Sequence, residues 1–242
     1  MRGYVDLHCH WVADIDDGAR TLADSAAMLT GLHEAGFDVV VATPHMRPGL
    51  FDNSRADIEA AFARTRAALP ASPALPAVAL ASEHYLDDLV FERLMGGAAL
   101  PYPAGHAALI EFPADMFPLR ASACFYELRV KRRIRPVLAH PERYRPVWKD
   151  ITVLDPLLDG GAVLLLDLGS LVGKYGRQAR RAAHELLEAG CYHAACSDAH
   201  RPGDVAQVAA AIRKLHELEG PEEAEFLLGE GPRSILEGRV ET

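Results

Sequence analysis

The sequence predicts an α/β fold, a distorted seven-stranded (β/α) TIM-like barrel formed by a single domain over residues 1–242. Three observations lead there. Seven short apolar segments alternate with helical ones, the pattern of a parallel sheet. Six of the seven end in His, Asp or Glu, which fits a barrel, where all such strand ends converge on one face. The first turn lacks the glycine-rich signature of an open doubly wound sheet and carries metal-ligand residue types instead. No internal repeat or linker divides the chain.

The first strand, 5–10, ends in His8-Cys9-His10, and side chains two apart on a strand share a face, so both imidazoles point the same way. A loop at 11–18 follows. Thr21 reads as an N-cap with Asp24 three residues on, opening a helix that stops at Gly36. Residues 37–43 are continuously apolar, as in a parallel strand covered on both faces, and deliver Pro44-His45. Ser54 caps a second helix, 55–69, and a Pro/Ala-rich connector leads to strand 78–82, which delivers Glu83. Strand 107–110 then delivers Glu111, and strand 134–139 delivers His140. Strand 162–168 ends in Gly169-Ser170. A helix at 178–189 precedes the last strand, 192–197, which delivers Asp198 and His200. Helices at 205–218 and 222–228 finish the chain.

Half the residues are apolar, enough for one sizeable core, and the net charge of -9 argues against a nucleic-acid binder. No secretory signal is visible, and no apolar run nears the roughly 20 residues of a membrane span, so the cytoplasm is the expected location. Of the four cysteines, Cys9, Cys191 and Cys196 lie in apolar runs and read as buried free thiols in a reducing compartment. Cys9 should face away from its histidine neighbours. The basic run 129–135 reads as a helix end whose cations oppose the negative dipole, with an acidic partner or an anionic membrane surface as the alternative.

The strand ends and the first loop together offer His8, His10, Asp17, His45, Glu83, Glu111, His140, Asp198 and His200. Nine nitrogen and oxygen donors are too many for one ion and suit two or three divalent transition metals, with Zn, Mn and Fe all compatible. Three divalent ions against four carboxylates leave a formal +2, which attracts an oxyanion. Arg143, Arg47 and Arg201 follow ligand positions closely and could clamp phosphate. His84 and His193 should alternate to the other barrel face. His33, His184 and His216 fall in helices as solvated side chains, and His106 precedes its strand, so none of these is expected to bind metal. An amidohydrolase would share the barrel and the His-x-His start, but no lysine stands at a middle strand end to bridge its metals.

In order along the chain, DLHCH (6–10), DIDDGA (14–19), ATPH (42–45), SEHY (82–85), ALIEF (108–112), LAHPERY (138–144), GSLVGKYG (169–176) and CSDAH (196–200) resemble the PHP (polymerase and histidinol phosphatase) superfamily. Within it the chain is most similar to the bacterial metal-dependent protein-tyrosine phosphatases of capsule and exopolysaccharide gene clusters. The resemblance implies a trinuclear site, with Mn or Fe favoured over Zn. His8, His10, Glu83 and Asp198 would hold one ion, Glu83 would bridge to a second completed by Glu111 and His140, and Asp17, His45 and His200 would hold the third. Glutamate at 111 follows the tyrosine phosphatases, where related sugar and histidinol phosphatases more often have histidine. Arg201 departs from the pattern, because the family's second phosphate-binding arginine lies several residues further on.

The implied activity is hydrolysis of phosphotyrosine on a bacterial tyrosine kinase, with Arg143 and either Arg47 or Arg201 stabilising charge and Asp198 or His200 protonating the leaving oxygen. The alternatives are a small-molecule phosphatase of the histidinol-phosphate or sugar-phosphate type and a catalytically silent regulator that binds the kinase tail.

Overall fold

The computed structural model describes residues 3–72 and 74–240, so Met1, Arg2, Pro73, Glu241 and Thr242 of the expected domain lie outside the described residues. Nine strand segments occur among those described: β1 (Tyr4–Cys9), β2 (Phe37–Ala42), β3 (His45–Met46), β4 (Ala77–Leu80), β5 (Glu83–Tyr85), β6 (Ala107–Glu111), β7 (Arg135–Ala139), β8 (Val163–Asp167) and β9 (Tyr192–Cys196). They form two sheets, β1-β2-β4 and β3-β5-β6-β7-β8-β9, and every pairing between them is parallel.

The second and third predicted strands are each broken once. Pro44 has no N–H to continue a ladder, so the run from Phe37 pauses and resumes as β3. Its neighbour pauses at Ala81-Ser82, where the Ser82 hydroxyl donates to the Pro44 carbonyl at 2.7 Å and the Glu83 N–H to the same carbonyl at 3.2 Å. Backbone bonds also tie the first strand to the last. The Asp198 N–H donates to the His8 carbonyl and the His10 N–H to the Ala199 carbonyl, both at 2.9 Å.

Burial follows strand alternation. Val5, Leu7, Val41, Leu109, Val137, Leu165 and Ala194 share one buried cluster, while Tyr4, Val40, Ile110, Leu138, Leu166 and Ala195 join a second, larger one. Both faces of the sheets are therefore covered, which is why most of the strands read as largely apolar runs. Each fully buried Leu, Val or Ile contributes about 1.5–3 kcal/mol relative to exposure.

The helix caps lie where the sequence put them. Thr21 and Asp24 form a reciprocal capping box on helix Leu22–Ala35, which Gly36 ends in the left-handed region at φ 117°. Ser54 and Asp57 form the same box on Arg55–Ala68. The tail divides as expected, since Pro202–Glu225 is broken at Gly220, whose backbone is not helical, and it adds a further helix, Gly231–Leu236, that buries Ile235 in the smaller cluster. Gly231 is required there, because a Cβ would stand 2.0 Å from the His193 carbonyl oxygen. The basic run closes helix Ala121–Glu127 through a final wide turn, Leu128–Arg132, and Arg135 donates to the Gly161 carbonyl at 2.7 Å.

Candidate metal centre

The nine candidate ligands converge. Their donor atoms fall into four overlapping groups, each with all atoms within 4.8 Å of one another: His10, Asp17, His45 and His200; His8, His10 and Asp198; His8, Glu83 and His140; and His45, Glu83 and Glu111. Asp17 alone is exposed, at the mouth, and the ligands from strand ends are buried or half-buried.

Glu83 stands at the centre. Its Oε2 lies 3.2 Å from His8 Nε2, 3.4 Å from His10 Nε2 and 3.1 Å from His45 Nδ1, and its Oε1 lies 3.1 Å from His140 Nε2. Asp198 Oδ1 is 3.3 Å from His8 Nε2 and 3.6 Å from His10 Nε2. Around a four-coordinate ion with ligand distances of about 2.0–2.2 Å, donor atoms stand about 3.3–3.6 Å apart, so these spacings suit a cation at their centre. The His10 tautomer agrees. Its Nδ1 is 2.8 Å from Asp16 Oδ2, an N–H donor to that carboxylate, which turns the Nε2 lone pair toward His8 Nε2 only 3.1 Å away. At that distance the His8 nitrogen must either carry a proton toward His10 or share a cation with it. Among the described residues, His8 Nδ1, Glu111 Oε2, His140 Nδ1 and Asp198 Oδ1 are buried without a hydrogen-bond partner, and the two carboxylate oxygens fit the same demand.

On the outer side, Asp17 Oδ1 lies 3.3 Å from His45 Nε2 and 3.5 Å from His200 Nε2. His200 Nδ1 bonds the Asp198 carbonyl at 3.1 Å, which again aims Nε2 inward. His140 and Asp198 hold left-handed backbones at φ 37° and 42°. For residues other than glycine this conformation costs of order 1–3 kcal/mol and concentrates at functional sites.

Electrostatics divide the carboxylates. Burial opposes ionisation of Glu83, yet His8 and His45 beside it hold it well below the usual range, and Asp198 is held low in the same way by His8, His200 and Arg143. Glu111 is pushed up to about 7 by burial and by the Glu83 charge. A divalent ion supplies the positive charge that would keep all of them ionised together.

The three arginines differ in setting. Arg143 donates to Asp198, lies 3.6 Å from Asp167 Oδ2, and its Cζ sits 4.3 Å over the Tyr175 ring. Arg47 stacks on Tyr85 at 4.0 Å. Arg201 caps the last long helix and donates to the Gly18 carbonyl, so it braces the 14–19 loop.

Several residues in the site were missed in the sequence. Asp16, next to the predicted Asp17, orients His10 and accepts from the His45 N–H at 3.0 Å. Asp6 accepts from the Ser197 N–H at 3.0 Å, linking the first and last strands. Asp6 could have been found, since it shares a strand face with His8, whereas Asp167 and Tyr175 carried no spacing signal. His84 serves the fold: its Nδ1 bonds the Leu109 carbonyl at 2.8 Å and its Nε2 accepts from the Leu100 N–H at 3.2 Å. Cys9 points its thiol to the Ala199 carbonyl, away from the donors, and the four cysteines are free, with Cys191 half-buried and Cys124 buried.

The pattern of the capsular polysaccharide synthesis family CpsB/CapC matches residues 4–237. The chain belongs to that family. Its relative tyrosine-protein phosphatase YwqE of Bacillus subtilis (strain 168) is 34% identical over 196 residues, which covers 81% of this chain and 77% of YwqE. A crystal structure from work on YwqE of Bacillus subtilis and CpsB of Streptococcus pneumoniae, described as unique metal-dependent tyrosine phosphatases, superposes with a TM-score of 0.88 at 31% identity, covering 97% of this chain and 94% of the other. The phosphotriesterase homology protein of Escherichia coli shares only the fold, with a TM-score of 0.56 at 14% identity over 97% of this chain and 99% of its own. The resemblance carried by the DLHCH, SEHY and CSDAH motifs is thus borne out for this CpsB/CapC chain. No described helix is long and apolar enough to cross a membrane.

Proposed function

We propose that this CpsB/CapC protein is a metal-dependent phosphoric monoester hydrolase that removes phosphate from phosphotyrosine on a kinase controlling capsule or exopolysaccharide synthesis. One observation carries the reading: eight candidate ligands from strand ends and one loop gather around a ninth, Glu83, whose two oxygens face four imidazoles. His8, His10, Glu83 and Asp198 would hold one ion; Glu83, Glu111 and His140 a second; and Asp17, His45 and His200 a third. Manganese or iron suits this mixed donor set better than a thiolate-preferring metal. Bound there, divalent ions supply charge for the phosphate oxygens and acidify the attacking water.

The chain's own residues do the rest. Arg143, held flat between Tyr175 and two carboxylates, presents donors to a phosphate oxygen, and Arg47 on Tyr85 supplies a second fork. Arg201 keeps its remaining N–H groups for the same anion while fixing the loop that carries Asp17. Asp198 is held ionised, and His200 spends Nδ1 on a backbone carbonyl, so neither has a proton to give the leaving oxygen. A phenolate, whose acid has a pKa of about 10, departs with little help, whereas an alkoxide needs a proton at once. This favours aryl over alkyl phosphates.

The two sheets would act as one distorted seven-stranded barrel, each interrupted strand counted once, and the described chain as one domain. The bonds between His8, His10, Asp198 and Ala199 support this. The free cysteines fit a reducing cytoplasm. Metal analysis together with kcat/KM on a phosphotyrosine peptide, a phosphoserine peptide and histidinol phosphate tests the reading. The expected result is two to three ions per chain and fastest cleavage of phosphotyrosine. One ion or none after loading with Mn²⁺ or Fe²⁺, or a tenfold preference for histidinol phosphate, overturns it.

A further inference from the structure

A cleft of about 450 Å³ lies between helix Gly176–Glu188 and the long helix Pro202–Glu225, lined by Leu171, Arg177, Arg180, Arg181, His184 and Lys214. The four basic residues of the first helix fall at i, i+3, i+4 and i+7, which places them on one face. Lys214 faces them from the second helix, and no carboxylate lines the cleft. The three arginines are exposed, while His184 and Lys214 are half-buried. Arg181 is partly engaged, by Glu185 at 3.5 Å and by the Trp148 carbonyl, and Lys214 lies 3.2 Å from Glu217. His184 Nε2 is buried without a hydrogen-bond partner, and burial together with Lys214 and Arg180 pushes its proton affinity down. A concentration of cations like this stands out on a chain of net charge -9, whose wider surface repels anions.

One end of the cleft, at Arg177, adjoins in sequence the loop that reaches Arg143. Arg177 follows by two residues Tyr175, the ring on which Arg143 lies. We infer that the cleft is a docking track for an acidic stretch of the phosphorylated polypeptide, beside the residue being hydrolysed. Seven residues of helix rise about 10.5 Å, enough for about three residues of extended peptide. Leu171 offers an apolar floor for one side chain of that segment. A cleft between two helices suits a single extended chain better than a flat membrane.

The inference rests on the phosphatase reading, and three substrates separate the two: phenyl phosphate, a phosphotyrosine peptide with three flanking Asp or Glu residues, and the same peptide with Gln in their place. In the metal-loaded protein, the acidic peptide should have the lowest KM at low salt and lose that advantage at about 0.5 M salt. Arg177→Glu combined with Arg180→Glu should raise the KM of the acidic peptide by ~10-fold and leave kcat and both other substrates within about twofold. Unchanged KM for the acidic peptide overturns the track, as does an equal loss on all three substrates. So does binding of wild-type protein, but not the variant, to anionic phospholipid vesicles in place of the peptide. If phenyl phosphate is not turned over by metal-loaded wild type, the phosphatase reading fails instead. Fluorescence anisotropy of the unphosphorylated acidic peptide then still decides the track, with binding to wild type and loss in the variant expected.

Discussion

Four imidazoles crowd the single carboxylate of Glu83, and the residues around it divide into those that could hold ions and those that place them. Arg143 cannot itself hold an ion, since a guanidinium has donors only, although it donates to the candidate ligand Asp198. Arg143→Met should leave metal content unchanged and lower kcat/KM on an aryl phosphate by ~10²–10³-fold, the usual cost of one preorganised charge-stabilising donor. Lysine should rescue it only in part, and His140→Ala should lose metal and activity together. Tyr175→Phe keeps the ring under Arg143 and should be nearly silent, whereas Tyr175→Leu should raise KM; parallel KM measurements on the two variants check this. Glu142 offers a pH test away from the donors. Buried beside Asp167, and accepting from Ser170 and Tyr192 hydroxyls at 2.9 Å, it is pushed up from 4.5 to about 8. The folded state therefore holds this proton more tightly than the unfolded chain. Its contribution to stability is complete below the ordinary glutamate range and is lost as pH rises toward 8, at up to about 1.4 kcal/mol per unit. Glu142→Gln should flatten that decline, as read from urea midpoints between pH 5 and 8. Glu142 fell inside the LAHPERY motif but was given no role, and Asp167 was not marked at all, because burial of a carboxyl depends on packing from distant strands.

At the scale of elements, the loop at 14–19 shows how much local sequence can specify and where it stops. DIDDG identified a turn rich in carboxylates and singled out Asp17, but did not reveal what Asp16 does. Asp17 reaches the histidines of the outer group, and Asp16 orients His10 and caps the Gly18 N–H at 2.8 Å. Gly18 itself is fixed by close approach, since a Cβ there would stand 2.1 Å from the His10 carbonyl oxygen. Gly18→Ala should therefore displace Asp16 and Asp17 together and lower metal stoichiometry by about one ion, while far-ultraviolet circular dichroism stays unchanged. Full metal content in that variant would show that the turn tolerates the shift. The strands were legible for a simple reason: buried on both faces, they are mostly apolar, and most end at a ligand-type residue. Their interruptions at Pro44 and Ser82 were not, because a break inside an apolar run depends on which sheet each half joins. The helix Gly231–Leu236 escaped notice because Gly-Pro at its start reads as a stop.

Across the whole molecule, ligand candidates come from six separate strands, so any bound ion would join parts of the chain that are far apart in sequence. Removing the ions should cost stability by mass action, about 2.7 kcal/mol for each site filled at 100 times its Kd. A drop of several degrees in Tm on chelation, restored by adding back Mn²⁺ or Fe²⁺, is the expected result by differential scanning fluorimetry; an unchanged Tm would mean that the donors hold together without cations. The site as a whole was readable because its donors repeat one placement at successive strand ends. The support for Arg143 was not, because Tyr175 reaches it from a loop with no periodic signal. The bonds from His8 and His10 to Asp198 and Ala199 also bear on biosynthesis. A ribosome has made most of the protein before Asp198 exists, and until then the His8 carbonyl and the His10 N–H lack their backbone partners and both imidazoles lack the carboxylate from the last strand. A nascent or prematurely ended chain is thus left without a complete first cage, so metal uptake would mark a finished polypeptide, and fragments ending before residue 198 should be metal-poor and inactive.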